Sequence, residues 1–146
     1  MKGIMKTASV MVLLFLSGVV HAQNQFVTEE AKFIYNLVKL RGADYFEKNV
    51  EKEFKNKGYV LDDDMIFINV GEALKKEKKT DESIAVFKFG TKTWPNIIML
   101  WNGLGEAYLQ KGSKTEAKKC FEVVLKKAPQ NERAKDGIKS ASQGLN

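Results

Sequence analysis

A short all-α solenoid of antiparallel helical hairpins is the fold class this sequence predicts, and three observations predict it. From Asp64 to Asn131 one 34-residue pattern is written twice: Phe67 falls on Trp101, Val70 on Leu104, Gly71 on Gly105, Leu74 on Tyr108, Ser83 on Ala117, Phe87 on Phe121 and Pro95 on Pro129. A unit of that length is one supersecondary block that cannot bury its own apolar face and must stack on neighbours. Outside the repeat, apolar residues recur at helical spacing between cap signals, and no segment alternates as a strand would.

The elements follow in order. Lys2 and Lys6 open the chain, Thr7 to Val20 is an apolar run of about 14 residues, and Val20-His21-Ala22 closes it. That is the charged, apolar and small-residue order of a secretory signal peptide, and the run is short of the roughly 20 residues of a membrane span. Residues 1–22 are therefore expected to be removed, giving an exported chain, periplasmic or secreted. An uncleaved anchor is the competing reading, and no Cys near the cut offers a lipid acceptor.

Residues 23–58 read as a degenerate helical hairpin. Thr28 can cap a helix to about Arg41 whose Phe33, Ile34, Leu37, Val38 and Leu40 form one apolar face stopped by Gly42. A second helix is expected from Asp44, with Glu47 completing a capping box, Phe46, Val50 and Phe54 at four-residue spacing, and Gly58 as its stop. Residues 59–131 hold the two units, 64–97 and 98–131, and the Asp62-Asp63-Asp64 cluster reads as capping for the first helix there. Gly90, where the second copy has Val124, predicts a looser second helix. Residues 132–146 form a capping helix and tail, with Ala134 and Ile138 inward and Lys or Arg elsewhere.

Charge and composition narrow function. The whole chain has 24 basic and 18 acidic residues, and loss of Lys2 and Lys6 would leave a net charge of +4 on about 124 residues. The positive charges are mixed with carboxylates, as in Glu51-Lys52-Glu53-Phe54-Lys55, which is a solvated helix face and not the basic stripe that nucleic acid requires. The single histidine, His21, lies in the leader, so the mature chain would lack an imidazole for a nucleophile's base or a metal site. The single cysteine, Cys120, can form no internal disulfide and is expected as a small buried hydrophobe, the alternatives being an intermolecular disulfide or a reactive thiol. No catalytic, cofactor or metal residues are expected.

Trp101, Leu104, Gly105, Tyr108, Ala117, Phe121 and Pro129 stand in the order W-x2-L-G-x2-Y…A-x3-F…P, which resembles the tetratricopeptide repeat at each signature position. Phe67, Val70, Gly71, Leu74, Trp101, Leu104, Gly105 and Tyr108 are expected to point into the stack. Met65, Ile68, Glu72 and Lys75, then Met99, Asn102, Glu106 and Leu109, run along a neighbouring face, with Gln110 at its edge. The resemblance implies that this face lines a concave groove for a protein or peptide partner. Family members that grip a terminal carboxylate place Lys, Arg and Asn there, and Ile68, Glu72, Asn102 and Glu106 do not suit that clamp. Apolar anchors with a basic residue are the partner chemistry expected. The alternative is that Met65, Ile68, Met99 and Leu109 are covered by the flanking helices.

A narrower likeness covers 58–131. Glu82-Ser83-Ile84-Ala85-Val86-Phe87-Lys88, Trp94-Pro95-Asn96 and Leu104-Gly105-Glu106-Ala107-Tyr108-Leu109 resemble the tetratricopeptide tails of exported bacterial β-lactamase-type serine hydrolases, here without an S-x-x-K motif or catalytic domain. The expectation is a non-enzymatic exported scaffold or adaptor, with an accessory partner of an exported hydrolase as one alternative and a small-ligand carrier or enzyme using an inter-hairpin pocket as another.

Overall fold

The computed structural model describes Phe26 and residues 28–143. The segment read as a leader, residues 1–22, lies outside the described residues, as do the last three of the tail. Among the described residues seven helices follow one another: α1 Glu29–Arg41, α2 Ala43–Lys57, α3 Asp64–Lys76, α4 Thr80–Thr93, α5 Ile98–Lys111, α6 Lys114–Lys127 and α7 Glu132–Ser142. The fold is an all-α solenoid. Each helix packs against the next within the pairs α1–α2, α3–α4 and α5–α6, and α1, α3, α5 and α7 form one row. The starts of α3, α5 and α7 are each one repeat length apart, so α7 sits where a third unit's first helix belongs.

Local chemistry explains the boundaries. The Thr28 hydroxyl accepts from the Ala31 N–H at 3.2 Å. Gly42 at φ 82° ends α1. The capping box expected at Asp44 and Glu47 does not form. Because Gly42 serves both as the stop of α1 and the cap of α2, the second helix starts at Ala43 and Asp44 is already in its first turn. Glu47 is drawn instead to Lys88 of α4, at 2.7 Å. Asp63 caps α3 through the Met65 N–H at 2.9 Å. At the turn after α5, Gly112 at φ 83° lets its own N–H reach Leu109 O and the Ser113 N–H reach Tyr108 O, the paired bonds of a Schellman stop. Lys78, at the equivalent position of the first unit, makes the same turn at φ 59° with a side chain that disfavours it.

Packing is organised by two phenylalanines. Phe87 on α4 and Phe121 on α6 are fully buried. A Cβ built on Gly71 of α3 would lie 2.6 Å from the Phe87 ring, and one on Gly103 of α5 would also meet that ring. Phe121 is seated the same way, between Gly105 of α5, at 2.7 Å, and Gly137 of α7. Each ring therefore wedges between the first helix of its own unit and that of the next, and only glycine leaves room. Gly90 is a notch of the same kind for Leu100, whose Cδ2 would be 2.7 Å from an added Cβ. The looser helix expected there is not observed: α4 runs unbroken to Thr93, because packing against Leu100 offsets the propensity cost.

The hairpin α1–α2 completes the core. Phe54 and Phe67 meet at a ring separation of 6.3 Å, and Phe67 also contacts Phe89 and Trp94, each at 5.2 Å. At the other end Ala134 and Ala141 of α7 pack with Ala117, Phe121 and Val124, and Ile138 lies against them. Ser83, which replaces alanine in the first copy, is buried with its hydroxyl donating to Gly71 O at 2.8 Å, so the substitution leaves no unpaired group.

Gly→Ala in a helix interior ordinarily stabilises by about 1 kcal/mol. Gly137→Ala should do the opposite, destabilising by about 1–3 kcal/mol, because Phe121 is held from behind by Gly105 and cannot withdraw. Denaturant unfolding followed by helical circular dichroism checks the sign.

Candidate functional site

The face made by α3, α5 and α7 is the one the sequence singles out, and its residues have different fates. Met65 and Met99 hold equivalent positions in the two units and are 45% and 47% exposed. Arg133 takes the third place in that row, one repeat length after Met99. Its side chain folds down onto the face instead of pointing away from it.

There Arg133 closes a four-residue network. Its Nη2 lies 2.6 Å from Glu106 Oε2 and 3.2 Å from Glu72 Oε1, and its Nε also donates to Glu106 Oε1. Lys75 Nζ lies 2.8 Å from Glu72 and 2.5 Å from Glu106. Two carboxylates and two cations from three helices therefore satisfy one another. Burial alone would push the Glu106 carboxyl up, but hydrogen bonds and charge from Arg133 and Lys75 outweigh it and hold the group below the usual carboxylate range. The acidic pair expected to attract a partner's basic residue is already occupied, because α7 brings its own arginine.

Other candidates are corrected more plainly. Ile68 and Asn102, expected to line the groove, are 5% and 2% exposed. Ile68 belongs to the main apolar core, and Asn102 is covered where the start of α7 crosses α5, its Nδ2 lying 3.5 Å from Asn131 Oδ1. Asn131 Oδ1 in turn caps α7 by accepting from the Ala134 N–H at 2.9 Å. Leu109 is half-buried against the apolar cluster of α6 and α7. Gln110 is held by bonds to Thr80 and to Lys75 O, at 2.9 and 3.1 Å, which fasten α5 to the α3–α4 turn. Flanking helices thus cover part of the predicted face and leave the two methionines open.

Beside that face the structure shows a trough of about 460 Å³ between α1 and α3, walled by Phe26 and Ala31 on one side and Ile66, Asn69, Glu72 and Lys76 on the other. Sequence reasoning missed it because the loop 58–63 breaks the repeat register before α3. Tyr35 and Lys39 of α1 fasten the same two helices further along, the Tyr35 hydroxyl donating to Glu77 at 2.6 Å and Lys39 donating to Tyr35 at 2.8 Å. Burial, then the bond to Glu77, pushes the Tyr35 hydroxyl up, so it stays protonated. Cys120 is buried and its thiol is pushed up to about 12, mainly by desolvation, which suits packing and not nucleophilic or redox chemistry. No helix among the described residues is long and apolar enough to cross a membrane.

The network carries a pH signature. Because the folded Glu106 carboxyl titrates below its unfolded value of about 4.3, its contribution is present above that value and is lost as pH falls from there through the lower folded value. Glu106→Gln should lower stability by about 1 kcal/mol at neutral pH, a figure reduced for partial exposure, and should flatten the stability loss between about pH 5 and 3. Thermal unfolding at a series of pH values reads both effects.

Comparison with a family model matches the second unit. Residues 98–131 match the family model described as tetratricopeptide repeat. The tetratricopeptide repeat domain-containing protein PYG7, chloroplastic, of Arabidopsis thaliana is 34% identical over 70 residues, which are 48% of this chain and 23% of that protein. The chain thus spans less than a quarter of that relative's length. The signature, the α5–α6 hairpin and the family match coincide on residues 98–131, within an all-α helical solenoid.

Proposed function

We propose that this chain is a non-enzymatic exported scaffold that holds a segment of another protein along the face of α3, α5 and α7. The observation that carries the reading is the pair Met65 and Met99, two of the four large apolar side chains most exposed among the described residues, repeated at equivalent positions. Packed helices lie about 8–10 Å apart. Side chains i and i+3 of a segment in the polyproline II conformation, with three residues per turn and about 3.1 Å per residue, point the same way and span that separation. Methionine adapts its shape to a partner at little cost, which suits such a surface.

The network next to the methionines revises the partner chemistry. Glu72, Lys75, Glu106 and Arg133 sum to no net charge. Apolar anchors, with polar groups meeting the trough beside α1, are therefore the contacts proposed, in place of a basic residue seated on the acidic pair. Export is supported by the leader pattern of residues 1–22. The resemblance of 58–131 to the tails of exported serine hydrolases supports a finer reading in which the partner is such a hydrolase and the chain its accessory subunit.

Capture of partner from the exported fraction, quantified by mass spectrometry, tests this. Met65→Glu with Met99→Glu should reduce capture at least tenfold without changing the helical signal, since both side chains are exposed. Leu40→Glu with Val60→Glu, more exposed and outside α3, α5 and α7, should leave it intact. The reverse pattern would refute the face.

A further inference from the structure

A second concavity lies on the opposite side of the molecule. The second helices of the first two hairpins, α2 and α4, pack together, but α4 and α6 scarcely touch, although the repeat would bring them alike. Phe89 of α4 reaches over to Phe46 of α2, at a ring separation of 6.2 Å, and to Phe67 of α3, at 5.2 Å, and fills the first gap. Its counterpart in the second unit is the smaller Val123.

What remains is a cleft of about 490 Å³ between α4 and α6 with α5 as its floor. That volume is within the usual range for small-molecule sites. Phe89, Trp101, Leu104, Tyr108 and Cys120 supply an apolar and aromatic lining. Trp101 and Tyr108, expected in the core from their signature positions, are only half-buried and face this space. The indole N–H is already given to Pro95 O at 2.8 Å, so Trp101 offers no free donor there. Trp101 and Tyr108 lie two helical turns apart, about 10 Å along the helix axis, so the floor is elongated.

The rim chooses the charge. Lys88 is neutralised by Glu47 at 2.7 Å. Lys92 on the α4 wall has only a 3.6 Å pairing with Glu51 between side chains 78% and 65% exposed, and Lys119 on the α6 wall has no ion pair among the described residues. Opposing them at the rim is one carboxylate, Glu116, also without an ion pair among the described residues. Two available cations on opposite walls of an elongated apolar floor match a slender apolar molecule with a single anionic head. We propose that this cleft binds an alkyl or aryl-alkyl carboxylate, independently of the methionine face.

Titration of the purified chain with decanoate, below its micellar concentration, tests the site. Saturable binding by calorimetry and a shift in tryptophan emission that survives Trp94→Phe are expected, with decyltrimethylammonium and decanol binding at least tenfold more weakly. Lys92→Glu with Lys119→Glu, both on the surface, should weaken decanoate at least tenfold with helical content unchanged. Met65→Glu with Met99→Glu should leave it unaltered, which separates this site from the protein-binding face. No saturable decanoate binding, equal binding of the cation, or indifference to the lysine pair would each overturn the proposal.

Discussion

Everything in this molecule depends on an aromatic ring held between two glycines. Phe87 and Phe121 each project from the second helix of a unit into the crossing of two first helices, and the absence of a Cβ at Gly71 and Gly103, or Gly105 and Gly137, sets how closely those helices approach. Buried phenylalanine contributes about 3–5 kcal/mol when judged by truncation to alanine. The steric side of the contact matters as much as that figure. An interior packed to crystal density leaves the ring no alternative position, so the spacing of α3, α5 and α7 follows from the notches and not from loop lengths. The exposed row of Met65 and Met99 is a consequence of that spacing.

The same constraint explains why α7 belongs to the solenoid. It carries Gly137 in the notch position, Asn131 as cap and contact to Asn102, and Arg133 in the place where the earlier units have methionine. A mostly polar helix thereby becomes both the lid of the core and a supplier of charge to the neighbouring face. Partly exposed ion pairs add little stability singly. In the proposed function their larger effect is on recognition: the two glutamates no longer present net negative charge, which moves the weight of the proposed binding to apolar contacts.

Much of the architecture was legible in the sequence because the repeat states it twice. Signature positions, the Gly42 and Gly58 stops and the Thr28 cap all follow from local rules that act within a few residues. What the sequence concealed was relational. Nothing local distinguishes Gly103 and Gly137 from other helical glycines until Phe87 and Phe121 are placed beside them, although their separation by one repeat length was a signal available to be read. The fate of Glu72 and Glu106 turned on Arg133, far along the chain in another helix, and that of Trp101 and Tyr108 on the cleft between α4 and α6. Asn102 is the clearest case: its helical offset marks a surface, but the start of α7 buries it with Oδ1 left without a protein partner.

The central claim is that the row of first helices, set in place by the glycine notches, is the surface through which this chain acts. Site-specific photo-crosslinking tests it most directly, with a benzophenone amino acid placed in turn at Met65, Met99, Leu40 and Val60, all exposed positions. The account predicts one shared crosslinked product from positions 65 and 99 and none from 40 and 60. Crosslinks from 40 or 60 with silence at 65 and 99 would contradict it.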